Sequence, residues 1–324
     1  MKKPINEHVL ALSGGVGGSK LAVGLSKLLS PDQLTILANT GDDFEHLGFT
    51  VCPDIDSLLY SLSEINNSEL GWGQKGETWN FLSALERLGG ETWFKLGDRD
   101  LATHIFRAEK LKKGFSLTEV TKLLSDGMGS RHQILPMTDS PVRTTIHCEL
   151  GSLSFQNYFV KQRCEPKVNK ITFEGIELAS LNPSALNVIE QGLKAVIICP
   201  SNPFLSIDPI LSLSGVVEAI KKQGCPVIAV SNIIDGAATK GPAAKLMGEL
   251  GISSSPLGVA CYYQDRYPGL LTHFVLDEKD KHMEREIVSL GLSTLVAQTL
   301  MDSLGSKKKL AEDILTFASE VTLL

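Results

Sequence analysis

The chain has 324 residues, of which 43% are hydrophobic and 21% are charged, and its formal net charge is −6 at pH 7. This composition is typical of a soluble globular protein and excludes disorder of the whole chain. The negative charge argues against a nucleic-acid partner, because such proteins usually need a concentrated basic face. The six cysteines lack the spacing of a zinc site, and no apolar run reaches the roughly 18 residues that cross a membrane. We therefore expect one domain, residues 1–324, located in the cytoplasm and without a membrane partner.

The first elements in the chain predict the start of a parallel sheet. Residues 9–12 form an apolar run typical of a buried strand, and a glycine-rich turn follows directly. Leucines from Leu21 to Leu29 then recur at helical spacing, and residues 34–38 form a second apolar run. Strand, glycine turn, helix and strand in this order begin a βαβ unit, whose ligands bind at the carboxyl ends of the strands.

The glycine turn itself predicts a phosphate site. Its sequence is Ser13-Gly14-Gly15-Val16-Gly17-Gly18. Glycine lets the backbone approach phosphate oxygens closely, and a following helix offers free N–H groups and the positive end of its dipole. The turn matches neither the Walker A pattern nor the dinucleotide fingerprint, because Ser19 and Lys20 stand where those patterns need glycine. A nicotinamide oxidoreductase is therefore disfavoured, and a tight structural turn remains the alternative to phosphate binding.

Four aspartates follow the second predicted strand, namely Asp42, Asp43, Asp54 and Asp56. Carboxylate oxygens close to a phosphate site are ligands that Mg²⁺ prefers, so the group predicts a metal site. For each aspartate, helix capping or turn formation is an equally open interpretation. Asp56 in particular precedes a helical pattern that starts at Ser57.

The middle of the chain differs from both ends. Residues 77–128 have mainly helical patterns, whereas residues 142–175 are typical of antiparallel strands. We interpret about residues 66–175 as an inserted lobe of helices and a β-hairpin, between core halves at about residues 1–65 and 176–324.

Parallel-strand patterns return in the second core half. Residues 195–199 and 227–230 are continuous apolar runs, with shorter candidates at residues 257–260 and 274–276. Helical patterns at residues 215–222 and 242–250 lie between them. Runs without alternation suit strands that are covered on both faces. The predicted fold class is therefore α/β, a Rossmann-like parallel sheet with helices on both faces and an inserted lobe.

Three further strings carry candidate binding residues. Ser201 and Asn202 follow a predicted strand and offer hydrogen-bonding groups to a phosphate or a base, unless they only shape a turn. Lys240 precedes a predicted helix and is a candidate charge for an anion, although a lone surface lysine is the alternative. Lys95 comes just before Leu96-Gly97-Asp98-Arg99-Asp100, which either supplies charge to a ligand or is a salt-bridged helix start. We interpret His104 as a packing or surface residue, since no catalytic triad is visible.

Taken together and in order, these strings closely resemble the 2-phospho-L-lactate transferase family (CofD), which makes the deazaflavin coenzyme F-420. The resemblance extends from about residue 8 to about residue 302. Besides the glycine turn and the aspartates, it includes the strings at residues 71–73, 96–100, 134–139, 200–203 and 240–243.

The resemblance implies a reaction and roles for individual residues. The family transfers a 2-phospholactyl, phosphoenolpyruvyl or 3-phosphoglyceryl group from a guanosine diphosphate-linked donor to a hydroxyl of Fo, 7,8-didemethyl-8-hydroxy-5-deazariboflavin. Mg²⁺ assists, and GMP leaves. By similarity, Asp56 and Lys95 contact Fo, while Asp43 and Asp56 are expected to be catalytic. The expected metal ligands are Asp42, Asp43 and Asp56, and the expected nucleotide-binding residues are Ser13, Gly14, Gly15, Gly17, Gly18, Ser201, Asn202 and Lys240. A homodimer is the expected assembly.

One departure and one alternative class accompany this resemblance. Asn232 and Asp235 stand where the family usually has proline and glycine, which leaves the preferred donor open. The alternative class is the gluconeogenesis factor group, whose members share the fold, bind a nucleotide sugar and act as regulators. That group shares the glycine turn but lacks the string at residues 96–100, which therefore favours the transferase.

Overall fold

A computed structural model describes residues 7–320 of the chain. In chain order its strands are β1 (Val9–Ser13), β2 (Leu34–Ala38), β3 (Phe44–His46), β4 (Phe49–Val51), β5 (Gln133–Pro136), β6 (Arg143–Cys148), β7 (Gly151–Ser154), β8 (Val168–Glu174), β9 (Ala195–Ile198), β10 (Val227–Val230), β11 (Ile233–Ile234), β12 (Ala237–Ala238), β13 (His273–Asp277) and β14 (Ser293–Ala297).

The α-helices surround these strands. In chain order they are α1 (Gly15–Ser26), α2 (Pro53–Leu62), α3 (Asn80–Arg87), α4 (Asp98–Lys112), α5 (Leu117–Gly127), α6 (Pro183–Glu190), α7 (Asp208–Leu211), α8 (Val216–Lys221), α9 (Ala243–Glu249), α10 (Pro256–Arg266), α11 (Glu284–Ser289) and α12 (Leu304–Glu320). No helix within residues 7–320 is both long and apolar enough to span a membrane.

Seven parallel strands form the central sheet, in the order β14-β13-β10-β9-β1-β2-β5. All residues of β1, β2, β9 and β10 are buried, because helices cover both faces. Along β1, Leu10 and Leu12 belong to one apolar cluster, and Val9 and Ala11 belong to a second cluster on the opposite face. The predicted Rossmann-like α/β fold class is confirmed.

The strand order locates a crevice in this sheet. From β1 the chain moves to β2 and then β5 on one side, whereas β9, β10, β13 and β14 extend from the other side of β1. The order therefore reverses between β1 and β9. In open α/β sheets, the loops at the carboxyl ends of such a pair of strands diverge and leave room for a ligand.

Two sequence predictions of local structure were wrong in part. Residues 257–260 lie inside the helix α10 and do not form a strand, because Ser255 accepts the Gly258 N–H as N-cap and Pro256 begins the helix. A short apolar run has the same appearance in a buried helix and in a buried strand. Helix α1 begins at Gly15, inside the glycine turn, several residues before its leucine pattern starts.

The predicted lobe at about residues 66–175 has a mixed structure. Its helices α3 to α5 and its antiparallel sheet β7-β6-β8 agree with the predicted helical and hairpin content. Strand β5, however, lies within these residues and pairs with β2 as the edge of the central sheet. The residues between the two core halves are thus two additions separated by a core strand, and the number of domains stays a prediction.

Candidate active site

The loops at the carboxyl ends of β1, β2, β9 and β10 bring most of the predicted site residues together. Ser13 ends β1, Asn39 follows β2, and Ser201 follows β9. The Ser201 hydroxyl accepts the Gly14 N–H at 3.1 Å and donates to the Gly14 carbonyl oxygen at 2.8 Å. This pair of hydrogen bonds joins the loops after β1 and β9 across the crevice.

Unpaired polar atoms are concentrated at this edge of the sheet. Within residues 7–320, the buried side-chain atoms there that lack a hydrogen-bond partner are Ser13 Oγ, Thr40 Oγ1, Asp42 Oδ1, Asp43 Oδ1, Thr144 Oγ1, Asn202 Nδ2 and Asn232 Oδ1. Buried polar atoms are normally paired, since an unpaired one carries the full cost of its desolvation. Their concentration at the predicted crevice indicates a polar ligand site.

The glycines of the turn after β1 have a packing role in the structure. A side chain at Gly17 would place its Cβ 2.6 Å from the Pro200 carbonyl oxygen, and one at Gly18 would collide with the Ser13 and Ser201 hydroxyls. Gly15 has a φ of +60°, a conformation that glycine adopts without strain. The glycines therefore allow the start of α1 to pack closely against the loop after β9. This agrees with the interpretation of the sequence as a tight structural turn. Their role in nucleotide binding stays a prediction.

Asp54 lies against the N-terminal end of α1. Its carboxylate accepts the Asn39 side-chain amide at 2.9 Å and the backbone N–H of Gly15. Burial raises the pKa of Asp54 to about 6, against the opposing effect of these hydrogen bonds. A carboxylate of the protein thus lies beside the first residues of α1.

Asp42 and Asp43 are buried carboxyl groups, with 5% and 4% of their surface exposed. Burial, and then the charge of Asp54, raises the pKa of Asp42 well above its ordinary value. Burial also raises the pKa of Asp43 to about 8. Each has an oxygen without a hydrogen-bond donor. These two residues fit a Mg²⁺ site, because that ion commonly takes one or two carboxylates and completes its coordination with substrate phosphates and water.

Asp56, a predicted metal ligand, is paired with a guanidinium group in the structure. Both of its carboxylate oxygens accept hydrogen bonds from the guanidinium group of Arg107, one of them at 3.3 Å. Among residues 7–320 no group of three His, Cys, Asp or Glu side chains has the arrangement of a metal site. Arg107 thus neutralises Asp56, and the metal set of Asp42, Asp43 and Asp56 stays a prediction.

Arg107 belongs to a buried polar network between α2 and α4. Its side chain has no exposed surface, and its Nη1 lies 3.1 Å from His104 Nδ1. His104 Nε2 lies 3.4 Å from an oxygen of Asp100, which also accepts the Tyr60 hydroxyl at 2.5 Å. His104 is thus a packing residue, as predicted, but one that is part of the chain of contacts leading to Asp56.

Sequence reasoning missed Arg107, although a signal was present. Asp100, Thr103, His104 and Arg107 are spaced as one face of a helix, and all four are buried in α4. A face of polar residues at positions i, i+3, i+4 and i+7 looks like a solvated surface when only hydrophobic periodicity is read. Charged residues are buried only in pairs or networks. A helix face on which acidic and basic residues alternate, close to a predicted site, could therefore have been predicted to be buried.

The remaining predicted residues lie in two other places. Lys95 is exposed and follows an aromatic cluster formed by Phe44, His46, Trp93 and Phe94, in which the Phe44 and Phe94 ring centroids are 4.9 Å apart. No contact joins Lys95 to Asp56 within the described part of the chain, so their common role in Fo binding stays a prediction. Lys240 lines a separate pocket with Lys20 and Lys307.

Comparisons with known proteins agree with the fold and the motifs. Residues 9–306 match the family described as 2-phospho-L-lactate transferase CofD. The 2-phospho-L-lactate transferase of Methanosarcina mazei is 41% identical over 304 residues, covering 94% of this chain and 98% of that protein. The phosphoenolpyruvate transferase of Streptomyces coelicolor is 34% identical over 319 residues, covering 97% of this chain and 99% of that protein.

A solved structure extends the comparison of folds. A member of the UPF0052 family from Bacillus halodurans superposes with a TM-score of 0.66 and 16% identity, covering 97% of this chain and 99% of that one. At this identity the similarity concerns the fold alone.

Proposed function

The chain is a transferase that belongs to the CofD family, and from this we propose that it transfers a phosphorylated three-carbon acid from a guanosine diphosphate-linked donor to a hydroxyl of Fo. The transferred group is 2-phospholactyl, phosphoenolpyruvyl or 3-phosphoglyceryl, GMP is released, and the reaction belongs to coenzyme F-420 biosynthesis. The observation that carries this proposal is the similarity, over nearly the whole chain, to relatives named for 2-phospho-L-lactate and phosphoenolpyruvate transfer.

The crevice is suited to an in-line displacement at phosphorus. The reaction requires little covalent chemistry from the protein, so binding and orientation of the two substrates account for most of the catalysis. Unpaired groups such as Ser13 Oγ and Asn202 Nδ2 are available to the donor at the end of β1 and after β9. In this proposal they hold the guanosine diphosphate portion above the crevice.

Asp42 and Asp43 are the proposed ligands of Mg²⁺. Their buried Oδ1 atoms accept no well-formed hydrogen bond, although the Thr144 hydroxyl lies near Asp42 and the Cys52 thiol lies near Asp43. Burial makes a bare charge at either position costly. When bound, the ion supplies positive charge that stabilises the phosphate oxygens during transfer. The protein's own contribution is to hold the two carboxyl groups in place, with Asn39 Oδ1 fixing the intervening loop through the Gly41 N–H at 2.8 Å.

Asp56 is the proposed group that orients the Fo hydroxyl. Each carboxylate oxygen has two lone pairs, so an oxygen that accepts from Arg107 can accept a second hydrogen bond. Because Arg107 holds both oxygens, the carboxylate presents a fixed direction to the incoming hydroxyl. Asp43 and Asp56 are therefore the proposed catalytic pair, with Asp43 acting on the donor side and Asp56 on the acceptor side.

The proposed activity is tested by incubating the protein with Fo, Mg²⁺ and each of the three guanylated donors, and measuring GMP. We expect GMP release that requires Fo and is fastest with one donor. No GMP with any donor would contradict the proposal. Tight binding of a nucleotide sugar without turnover would instead support a regulator of the gluconeogenesis factor type.

The proposed metal site is tested by thermal unfolding with and without Mg²⁺. A ligand that binds only the folded state raises the melting temperature, by an amount that corresponds to about 2.7 kcal/mol at a hundredfold excess over Kd. We expect Mg²⁺ to raise the melting temperature of the unmodified protein but not that of Asp42→Asn or Asp43→Asn. The same rise in all three proteins would place the ion elsewhere.

A further inference from the structure

His104 lies inside the polar network between α2 and α4, with 1% of its surface exposed. The reaction proposed above gives this ring no chemical role. It lies between two charged groups, because its Nδ1 is 3.1 Å from Nη1 of Arg107 and its Nε2 is 3.4 Å from Oδ1 of Asp100. A ring nitrogen either donates or accepts a hydrogen bond, so these two neighbours restrict where the ring proton can be.

The guanidinium group determines which nitrogen of His104 carries the proton. Arginine has N–H donors and no acceptor, so Nδ1 of His104 has to accept the hydrogen bond from Arg107. A proton on Nδ1, in any form of the ring, would face an N–H of the guanidinium group across 3.1 Å. The ring proton therefore belongs on Nε2, the nitrogen that lies near Asp100.

Asp100 is suited to receive this N–H group. Burial raises the pKa of Asp100, but the contact with His104 and the hydrogen bond from the Tyr60 hydroxyl lower it below its ordinary value. At 3.4 Å the contact between Nε2 and Oδ1 is long, so it acts chiefly as an electrostatic attraction. Nε2 of His104 has no hydrogen-bond partner elsewhere within residues 7–320. Asp100 thus stabilises the same proton arrangement that Arg107 requires.

The orientation of Arg107 depends on few contacts. Its Nε has no hydrogen-bond partner among the described residues, so the two terminal nitrogens hold the guanidinium group. Nη2 donates to Asp56, while Nη1 is surrounded by Asp56, the Thr50 carbonyl oxygen at 3.2 Å and His104. Apart from Asp56, His104 is therefore the one side chain in the described part of the chain that accepts a hydrogen bond from this group.

We propose that His104 is a positioning residue for the acceptor side of the reaction. Its unprotonated Nδ1 holds the guanidinium group of Arg107, and Arg107 fixes the direction in which Asp56 meets the Fo hydroxyl. His104 acts through Arg107 and does not touch the reacting atoms. This assignment rests on the proposed function, in which Asp56 orients that hydroxyl.

The proton arrangement is tested by ¹⁵N NMR of the histidine rings in the full, unmodified chain. The signals of His104 are identified among those of the seven histidines by their loss in His104→Asn. We expect Nδ1 to have the chemical shift of an unprotonated ring nitrogen and Nε2 that of a protonated one. A protonated Nδ1 would overturn the proposal. The measurement requires neither Fo nor a donor.

Two amide substitutions separate the roles of the two ring nitrogens. The amide group of asparagine reaches the position of Nδ1, and that of glutamine reaches the position of Nε2. His104→Asn therefore keeps an acceptor for Arg107, whereas His104→Gln removes it and keeps a donor near Asp100. Calorimetry should show Fo binding weakened about tenfold in His104→Gln, the size expected for loss of one hydrogen bond to a charged group, and nearly unchanged in His104→Asn. Equal weakening in both variants, or none in either, would overturn the proposal.

Steady-state kinetics separate a positioning role from a purely structural one. We expect His104→Gln to raise KM for Fo and to leave KM for the donor unchanged. A structural role would lower the melting temperature of both variants and leave KM for Fo as it is, which would contradict the proposal. His132→Gln is the matched control, since it removes a ring whose Nε2 lies 3.0 Å from the Leu29 carbonyl oxygen, outside this network. Both KM values should be unchanged in that control.

Failure of this assignment can be distinguished from failure of the proposed function. Fo binding that is weakened in His104→Gln alone, in a protein that releases no GMP, would contradict the transferase and support the role of His104. Normal GMP release with an unchanged KM for Fo in His104→Gln would contradict the role of His104 and support the transferase.

Discussion

Arg107 is the residue on which the geometry of Asp56 depends. The two side chains are buried, and the guanidinium group contacts both carboxylate oxygens. Two ions taken out of water are each costly to bury, and only their mutual attraction and further hydrogen bonds compensate. The contacts of Arg107 with the Thr50 carbonyl oxygen at 3.2 Å and with His104 supply part of that compensation.

We predict that Arg107→Met lowers the free energy of unfolding by about 3–5 kcal/mol, because it leaves Asp56 buried without a counterion. The double variant Asp56→Asn with Arg107→Met should recover part of the lost free energy of unfolding, because it also removes the unpaired negative charge of Asp56. Urea unfolding of the four proteins in a double-mutant cycle measures both effects. A loss below about 1 kcal/mol, the range of exposed ion pairs, would show that the pair is solvated.

At the scale of elements, β1, α1 and the loop after β9 meet in a closely packed junction. The position of α1 depends on how closely Gly17 approaches Pro200. The sequence identified this turn correctly as a strand-to-helix connection at the carboxyl edge. The sequence alone did not show whether the glycines make room for a ligand or for another part of the chain. Either role requires a residue without a side chain.

Gly17→Ala should destabilise the protein by about 1–3 kcal/mol, the usual cost of overpacking, since its Cβ would meet a backbone oxygen 2.6 Å away. Gly248→Ala is the matched control, because Gly248 lies in α9 with open space around its Cβ position. That control should stabilise the protein by up to about 1 kcal/mol through helix propensity. Equal effects of the two substitutions in chemical unfolding would contradict the close approach at Gly17.

The sequence predicted long or strongly patterned elements well and short ones poorly. The strands at β1, β2, β9 and β10 were recognisable because all their residues are buried and all but Ser13 and Thr35 are apolar. Strand β5 has four residues and lies among helices in the sequence, so only its pairing with β2 identifies it. The run at residues 257–260 was misassigned because its burial comes from tertiary packing of α10.

The candidate site was predictable to the extent that its residues follow strands. Asp42, Asp43 and Ser201 come directly after core strands, so the topology alone brings them to one edge. Arg107 comes from the helix α4, which reaches the site region through packing. Its partner Asp56 lies 51 residues away in the sequence, and no local pattern encodes such a contact.

At the scale of the whole molecule, several buried carboxyl groups make stability depend on pH. Asp208, at the start of α7, accepts hydrogen bonds from the hydroxyls of Tyr262 and Tyr267. Burial nevertheless raises its pKa from the ordinary value of 3.8 to about 6. Below pH 3.8 the group is protonated in both the folded and the unfolded chain. As pH rises from 3.8 to about 6, the unfolded chain releases the proton first, so the folded state loses relative stability.

We predict that Asp208→Asn removes the loss of folding stability that accompanies the rise in pH. The variant should gain stability relative to the unmodified protein by about 3 kcal/mol between pH 4 and pH 7, the equivalent of a pKa displacement of about two units. Urea unfolding of both proteins at intervals of one pH unit measures the difference. A difference that does not change with pH, or that changes in the opposite direction, would contradict the raised pKa of Asp208.

The most direct test of the transferase is the mass of Fo after a single turnover with enzyme in excess over the guanylated donor. We predict that Fo gains the mass of one phosphorylated three-carbon acid, less water, and that one GMP appears for each Fo converted. Donor cleavage that leaves the mass of Fo unchanged would mean that water is the acceptor. That result would contradict the central claim that this family member transfers the phosphorylated acid to Fo.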